Sequence, residues 1–158
     1  MVLERRLLAE VCRQLRVHGK RIVFTNGCFD LLHLGHVRYL ESARQLGDIL
    51  VVGVNTDTSV RHLKGMLRPL RREGERAALV AALKPVDFVT LFEEETPESL
   101  IAELRPDVLV KGGDYAREHI AGADLVESWG GTVVIVPYVK GYSTTAVVED
   151  ILRRYCSP

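Results

Sequence analysis

Short apolar runs rich in valine and isoleucine alternate with longer amphipathic stretches along the chain. The runs with the length of strands are residues 22–24, 49–54, 86–91, 108–110 and 133–136. They are apolar at nearly every position, which is typical of parallel strands that are covered on both faces of a sheet. The pattern therefore predicts a five-stranded parallel sheet.

The segments between these runs have helical length, and their apolar residues recur at spacings of three and four. Helices are predicted at residues 3–17, 37–46, 73–83, 97–104, 122–129 and 145–155. Such alternation of strands and helices indicates a Rossmann-like, doubly wound α/β fold. We expect one domain over residues 1–158, with an N-terminal helix within residues 1–18 and an α/β core over residues 20–155.

One long stretch, residues 55–72, shows no such period. It is basic and interrupted by glycine and proline. We expect it to be a mobile connection that closes over a bound ligand. Ligands of doubly wound sheets bind beyond the carboxyl ends of the strands, so candidate site residues should directly follow strands.

Composition restricts the class of function. The 21 Lys and Arg residues balance 21 Asp and Glu residues, so no overall basic charge indicates a nucleic-acid partner. No apolar run reaches the roughly 18 residues of a membrane span, and the N-terminus lacks a signal-peptide core. The three cysteines are widely spaced and form no CxxC pair. They favour the reduced thiols of a cytoplasmic protein over disulfides or a zinc site.

The clearest chemical signal follows the first strand, in the sequence TNGCFDLLHLGH of residues 25–36. Gly27 permits a tight turn, and Gly35 lets the backbone approach a ligand at the start of the next helix. His33 and His36 would stand at that helix N-terminus and donate hydrogen bonds to phosphate oxygens. The alternative is a histidine pair that binds nothing. A metal pair is disfavoured, because no third ligand follows at an obvious spacing.

Other segments carry further groups suited to phosphate: cations in the basic stretch, a Lys-Gly-Gly-Asp run after the fourth strand, and hydroxyls before the last helix. These residues are Lys64, Arg68, Lys111, Gly112, Asp114, Ser143, Thr144 and Thr145. Each group also has a purely structural alternative, namely a solvated loop, a strand-to-helix turn and a helix cap.

The ordered set of motifs resembles the cytidylyltransferase-like nucleotidyltransferases. Their HxGH signature matches residues 33–36, and GVNTD at 53–57 resembles their second-strand motif. Within them, the chain most resembles the D-glycero-β-D-manno-heptose 1-phosphate adenylyltransferases, the nucleotidyltransferase half of ADP-heptose synthases. That likeness rests on LKG at 63–65 followed by RP at 68–69, EEETP at 93–97, VKGGDY at 110–115 and GYSTT at 141–145. It extends from about residue 20 to residue 151.

The resemblance implies transfer of AMP from ATP to a sugar 1-phosphate, with release of pyrophosphate, in the synthesis of precursors for lipopolysaccharide or a related glycan. It implies catalytic roles for His33, His36 and Lys64. The residues it implies for nucleotide binding are Asn26, Gly27, Cys28, Phe29, Gly35, Lys111, Gly112, Asp114, Ser143, Thr144 and Thr145. Those it implies for substrate binding are Asp30, Asp57 and Arg68.

Mg²⁺ is expected on the β- and γ-phosphates of ATP, with no protein ligand assigned. Asp30 would contact either that ion or a sugar hydroxyl. The expected partners are a separate sugar kinase and a second copy of the chain, with no nucleic acid and no membrane.

Two alternative functions are left open. One is a CTP-dependent glycerol- or polyol-phosphate cytidylyltransferase, and the other is a nucleotide-sensing module without turnover. An Arg-Thr pair precedes the GxSTT stretch in glycerol-phosphate cytidylyltransferases, whereas this chain has Tyr138 and Val139 there. This difference favours ATP. A dinucleotide oxidoreductase and a P-loop kinase are disfavoured, because no GxGxxG follows the first strand and no GxxxxGK[ST] occurs.

Overall fold

Five parallel strands form one sheet, as the sequence predicted. The structure is a computed structural model that describes residues 1–113, 116–137 and 141–156. The strands are β1 (Ile22–Gly27), β2 (Ile49–Asn55), β3 (Phe88–Phe92), β4 (Val108–Gly112) and β5 (Thr132–Val136). Their order across the sheet is β3-β2-β1-β4-β5, and every neighbouring pair is parallel. The Rossmann-like α/β fold is confirmed.

Helices connect and cover the strands. They are α1 (Arg5–Val17), α2 (Leu34–Arg44), α3 (Asp57–Lys64), α4 (Glu73–Ala81), α5 (Glu98–Leu104), α6 (Ala123–Ser128) and α7 (Thr144–Tyr155), with a 3₁₀ turn at Arg117–His119. Helix α2 begins three residues before its predicted start. The earlier start is due to His33, which caps the helix: its ring Nδ1 accepts the backbone N–H of His36 at 3.3 Å.

Residues 55–72 do not form the continuous irregular stretch that the sequence predicted, because α3 occupies its first half. Thr56 caps this helix by accepting the N–H of Ser59, and Ser59 and Val60 are buried. A helix of eight residues with two buried positions is too short to show a clear apolar period. The mobility of residues 65–72 stays a prediction.

The strands alternate their side chains between two cores, one on each face of the sheet. Helices α1, α5 and α6 pack on one face, where Phe24 and Val51 lie. Helices α2 and α4 pack on the other face, against Val23, Leu50 and Val52. Within the part of the chain that the structure describes, no helix has the length and apolar character needed to cross a membrane.

The direction of the chain crossover changes between β1, the central strand of the sheet, and its neighbour β4. The chain moves outward from β1 to β2 and β3 on one side, and from β4 to β5 on the other. Such a reversal opens a crevice at the carboxyl ends of the strands, where ligands of these folds bind. The segments that follow β1, β2 and β4 border this crevice.

Candidate active site

The two predicted histidines lie together at the N-terminus of α2. His33 is the cap residue, and its carbonyl oxygen accepts the N–H of His36 at 3.0 Å. The two imidazole rings are stacked, with centroids 3.8 Å apart and planes inclined by 17°. The helix cap therefore brings both rings to one place beside the end of β1.

Both histidines are kept neutral by their surroundings. Burial, with smaller contributions from His33 and Lys64, lowers the pKa of His36 to about 4. Burial also lowers the pKa of His33. The Nδ1 atom of His36 is inaccessible to solvent and has no hydrogen-bond partner among the described residues. A neutral imidazole carries one N–H, so each ring can donate one hydrogen bond to an anion.

Two lysines approach the same crevice from different elements. Lys64 is the last residue of α3, and its charge lowers the pKa of His36. Lys111 lies in β4, where its Nζ donates to Asn26 Oδ1 at 3.5 Å. Burial raises the pKa of the Cys28 thiol, while the charges of both lysines oppose that rise. The fold therefore collects predicted site residues from the ends of β1 and β4 and from α3.

The N-terminus of α7 adjoins that of α2. Ser143 caps α7 by accepting the N–H of Ala146 at 3.0 Å, and Thr144 Oγ1 donates to the Leu31 carbonyl at 3.4 Å. Gly35 lies at the junction, because an added Cβ would be 3.0 Å from the His33 ring and 3.0 Å from the Tyr142 Cβ. Two positive helix ends are thus close to the histidines, an arrangement that favours phosphate.

Asp30 and Arg68, both predicted to bind substrate, are paired with each other. The Asp30 side chain is 5% exposed, and its Oδ2 accepts from Arg68 Nη1 at 2.6 Å. Its Oδ1 accepts the N–H groups of Leu70 and Arg71 at 2.7 and 3.0 Å. Burial raises the pKa of Asp30, but these hydrogen bonds outweigh it and hold the pKa below its ordinary value. Asp30 thus fixes residues 68–71 to the turn after β1.

Asp57, the third predicted substrate residue, contacts an arginine that sequence reasoning missed. Its Oδ1 accepts from Arg76 Nη2 at 2.9 Å, and its N–H donates to Glu73. Arg76 is completely buried. The sequence contains one indication of this burial: Arg76 lies one turn before Val80, on the face of the amphipathic helix α4 that packs against the sheet.

The remaining predictions concern Asp114 and the metal. Asp114 lies outside the described residues, as do Tyr138 and Val139. Across residues 1–113, 116–137 and 141–156, no group of three or more His, Cys, Asp or Glu side chains is arranged to hold a metal ion. That Mg²⁺ travels with the triphosphate stays a prediction.

Comparison with known proteins adds similarities in sequence and in structure. Residues 24–150 match a family model described as cytidylyltransferase-like. The chain is 56% identical over 151 residues to the bifunctional protein HldE of Trichlorobacter lovleyi, an alignment that covers 96% of this chain and 31% of that protein. It is 55% identical over 148 residues to the HldE of Geobacter metallireducens, covering 94% and 30%. The chain thus spans about a third of the length of these curated relatives.

A solved structure is also similar. The lipopolysaccharide core biosynthesis protein from Thermoplasma volcanium superposes with a TM-score of 0.63 and 37% sequence identity. The superposition covers 79% of this chain and 100% of that one. The likeness therefore includes sequence as well as fold.

Proposed function

The chain belongs to the cytidylyltransferase-like family of nucleotidyltransferases, and on this premise we propose that it transfers AMP from ATP to D-glycero-β-D-manno-heptose 1-phosphate. The products would be an ADP-sugar, used as a precursor of lipopolysaccharide or a related glycan, and pyrophosphate. Identities of 56% to an HldE protein and 37% to a lipopolysaccharide core biosynthesis protein support this choice of acceptor.

The observation that carries the proposal is the stacked, neutral histidine pair at the N-terminus of α2, with Lys64 near His36 and Lys111 near Asn26 at the end of β1. Preorganised hydrogen-bond donors and cations stabilise the charge that develops on a phosphoryl group in its transition state. In this proposal His33 and His36 donate hydrogen bonds to oxygens of the triphosphate, including those on the pentacoordinate α-phosphorus of the transition state, while the lysines counter the negative charge.

The proposed reaction needs little acid–base chemistry from the protein. The phosphate group of a sugar phosphate has a second pKa of about 6. Near pH 7 it is therefore mostly a dianion, and one of its oxygens can act as the nucleophile without a general base. That oxygen would attack the α-phosphorus of ATP in line with the departing pyrophosphate, and catalysis would consist of positioning and charge stabilisation. A His36 with a pKa of about 4 is a poor base at pH 7, which favours its use as a hydrogen-bond donor.

Magnesium is proposed on the β- and γ-phosphates, since this ion keeps several waters and needs few protein ligands. When bound it would neutralise part of the phosphate charge. Within the described part of the chain the residues suited to the site are donors and cations, which fits a metal carried by the nucleotide. The protein's own contribution would be to hold the α-phosphorus between the histidines and the acceptor.

A pyrophosphate-release assay tests the proposal with a panel of acceptors and two nucleotides. ATP and CTP are each offered with heptose 1-phosphate, with other sugar 1-phosphates and with glycerol 3-phosphate. We expect turnover with ATP and heptose 1-phosphate, and loss of it in His36→Ala. Equal or faster turnover with CTP would favour the cytidylyltransferase alternative. Nucleotide binding without pyrophosphate release in the presence of any acceptor would favour the sensing module.

We also propose a sugar kinase as the source of the acceptor, since the similar relatives are bifunctional proteins of about three times this length.

A homodimer is proposed as well. It is supported by exposed apolar side chains on α7, including Val147, Ile151 and Tyr155. Light scattering at micromolar concentration should give twice the chain mass, and a monomer mass would contradict the dimer.

A further inference from the structure

One arginine is completely buried next to the site. Arg76 lies in α4, and its guanidinium donates four hydrogen bonds. The acceptors are the carbonyl oxygens of Cys28 (2.5 Å), Asn55 (2.7 Å) and Arg71 (2.9 Å), and Asp57 Oδ1 (2.9 Å). A buried charge is tolerated only when its hydrogen bonds are satisfied. The four acceptors belong to four segments: the turn after β1, the end of β2, the start of α3 and the residues before α4.

The bond to Cys28 acts on a strained turn. Phe29 has a φ of +48°, in the left-handed region that a bulky side chain rarely adopts. Because a peptide unit is planar, holding the Cys28 carbonyl also fixes the orientation of the Phe29 N–H. The turn brings the Phe29 ring back over Gly27, where an added Cβ would be 3.0 Å from that ring. Arg76 therefore holds the peptide on which the conformation of Phe29 depends.

The Phe29 ring in turn packs against His36. The ring centroids are 5.2 Å apart with planes inclined by 54°, and Phe29 is 5% exposed. The same imidazole stacks on His33. Since His36 Nδ1 has no hydrogen-bond partner within the described ranges, ring packing accounts for the orientation of this side chain.

We propose, building on the function proposed above, that Arg76 is a positioning residue for His36, because it fixes the Cys28–Phe29 peptide and thereby places the Phe29 ring against the imidazole. The guanidinium suits this task, because its five N–H donors form a rigid planar fork that reaches acceptors on several sides. A lysine would keep the charge but present its donors from a single nitrogen. The geometry of the fork, and not the charge alone, is then what the site requires.

Kinetics of Arg76→Lys and Arg76→Ala test this role, with Arg5→Lys and Arg5→Ala as matched controls. Arg5 likewise donates to three side chains, those of Glu94, Ser99 and Glu103, but it does so from α1, which packs on the opposite face of the sheet. All assays are run at a temperature at which circular dichroism shows each variant to be folded. Displacement of a catalytic group by about 1 Å costs on the order of 100-fold in rate.

Arg76→Lys should therefore lower kcat by about 100-fold, while KM for ATP changes much less. The Arg5 variants should lower the unfolding midpoint and keep kcat. Guanidinium ion added to Arg76→Ala should restore part of the lost kcat, and urea at the same concentration should not. Wild-type kcat in folded Arg76→Lys would overturn the proposal, and so would a kcat loss that the Arg5 variants share.

A second measurement does not depend on catalysis. NMR titration of His36 should give a low pKa in the wild type and a pKa moved toward about 6.5 in the Arg76 variants, because release of Phe29 exposes the imidazole. An unchanged His36 titration in both variants would overturn the positioning role even if kcat falls. If the wild type turns over no sugar phosphate, the proposed function fails, and this titration still decides the role of Arg76. If Arg76→Ala does not fold, Arg76→Lys supplies both measurements.

Discussion

Replacing Asp30 with asparagine should release the segment that precedes α4. The substitution keeps the size of the side chain and removes its charge. If the amide oxygen keeps the place of Oδ1, it still accepts the N–H groups of Leu70 and Arg71. The amide nitrogen then faces Arg68 Nη1, which stands 2.6 Å from Oδ2 in the wild type, and two donors cannot bond to each other.

The expected cost follows from these three hydrogen bonds. A bond to a charged group contributes about 1.5–3 kcal/mol, so losing the Arg68 bond costs about 2 kcal/mol. The two backbone bonds weaken by roughly half when the acceptor becomes neutral, which adds about 1 kcal/mol each. The sum of about 4 kcal/mol would raise local opening of residues 68–71 by between about 100-fold and 1,000-fold, at about 1.4 kcal/mol per factor of ten.

Hydrogen exchange at the Leu70 and Arg71 amides measures this opening, because these two N–H groups are themselves the donors to Asp30. Asp87→Asn is the matched control. The Asp87 carboxylate also accepts a backbone N–H, that of Leu50 at 2.8 Å, and its Oδ2 lies 3.2 Å from Arg44 Nε. Unlike Asp30, however, Asp87 is at the amino ends of the strands, away from the site. Unchanged exchange in Asp30→Asn, or an equal change in Asp87→Asn, would refute the reasoning.

The other predictions concern the histidine and lysine side chains. His36→Ala should lower kcat by about 100-fold or more in the pyrophosphate assay with the fold retained. Wild-type turnover would refute that role, and a variant that does not fold would indicate that His36 has a structural role instead. Lys64→Ala should lower kcat more than it raises KM, while Arg71→Ala, whose side chain is 55% exposed, should change neither. Equal effects of the two substitutions on kcat and KM would indicate that Lys64 is only a solvated surface charge. Because the pKa of His36 is lowered to about 4, the unfolded chain binds more protons between about pH 4 and 6.5, and stability falls as the pH falls through that range. From pH 7 to 5, the wild type should lose about 1 kcal/mol more than His36→Gln in urea unfolding, after allowance for partial exposure. Equal losses would contradict the buried, neutral imidazole.

The sequence by itself determined the fold class and the place of the histidines. Strands buried on both faces are apolar at consecutive positions, and this local signal gave all five strands of the sheet. Glycine and histidine directly after the first strand indicated the edge at which a ligand binds, because that edge follows from the topology. Most predicted helix boundaries were within a few residues. The remaining differences arise at the terminal turns, where capping side chains such as that of His33 decide the first helical residue.

Tertiary structure alone decided which polar side chains meet. Helix α3 escaped prediction because its eight residues contain only two large apolar side chains, Val60 and Leu63, too few to establish a helical period. Asp30 and Arg68 were both assigned to substrate, yet they pair across 38 positions of sequence. Arg76 reaches Cys28 across 48 positions. Hydrogen bonds between distant segments depend on how the strands are ordered and how the helices cross them, and the periodicity of a single segment carries no information about either.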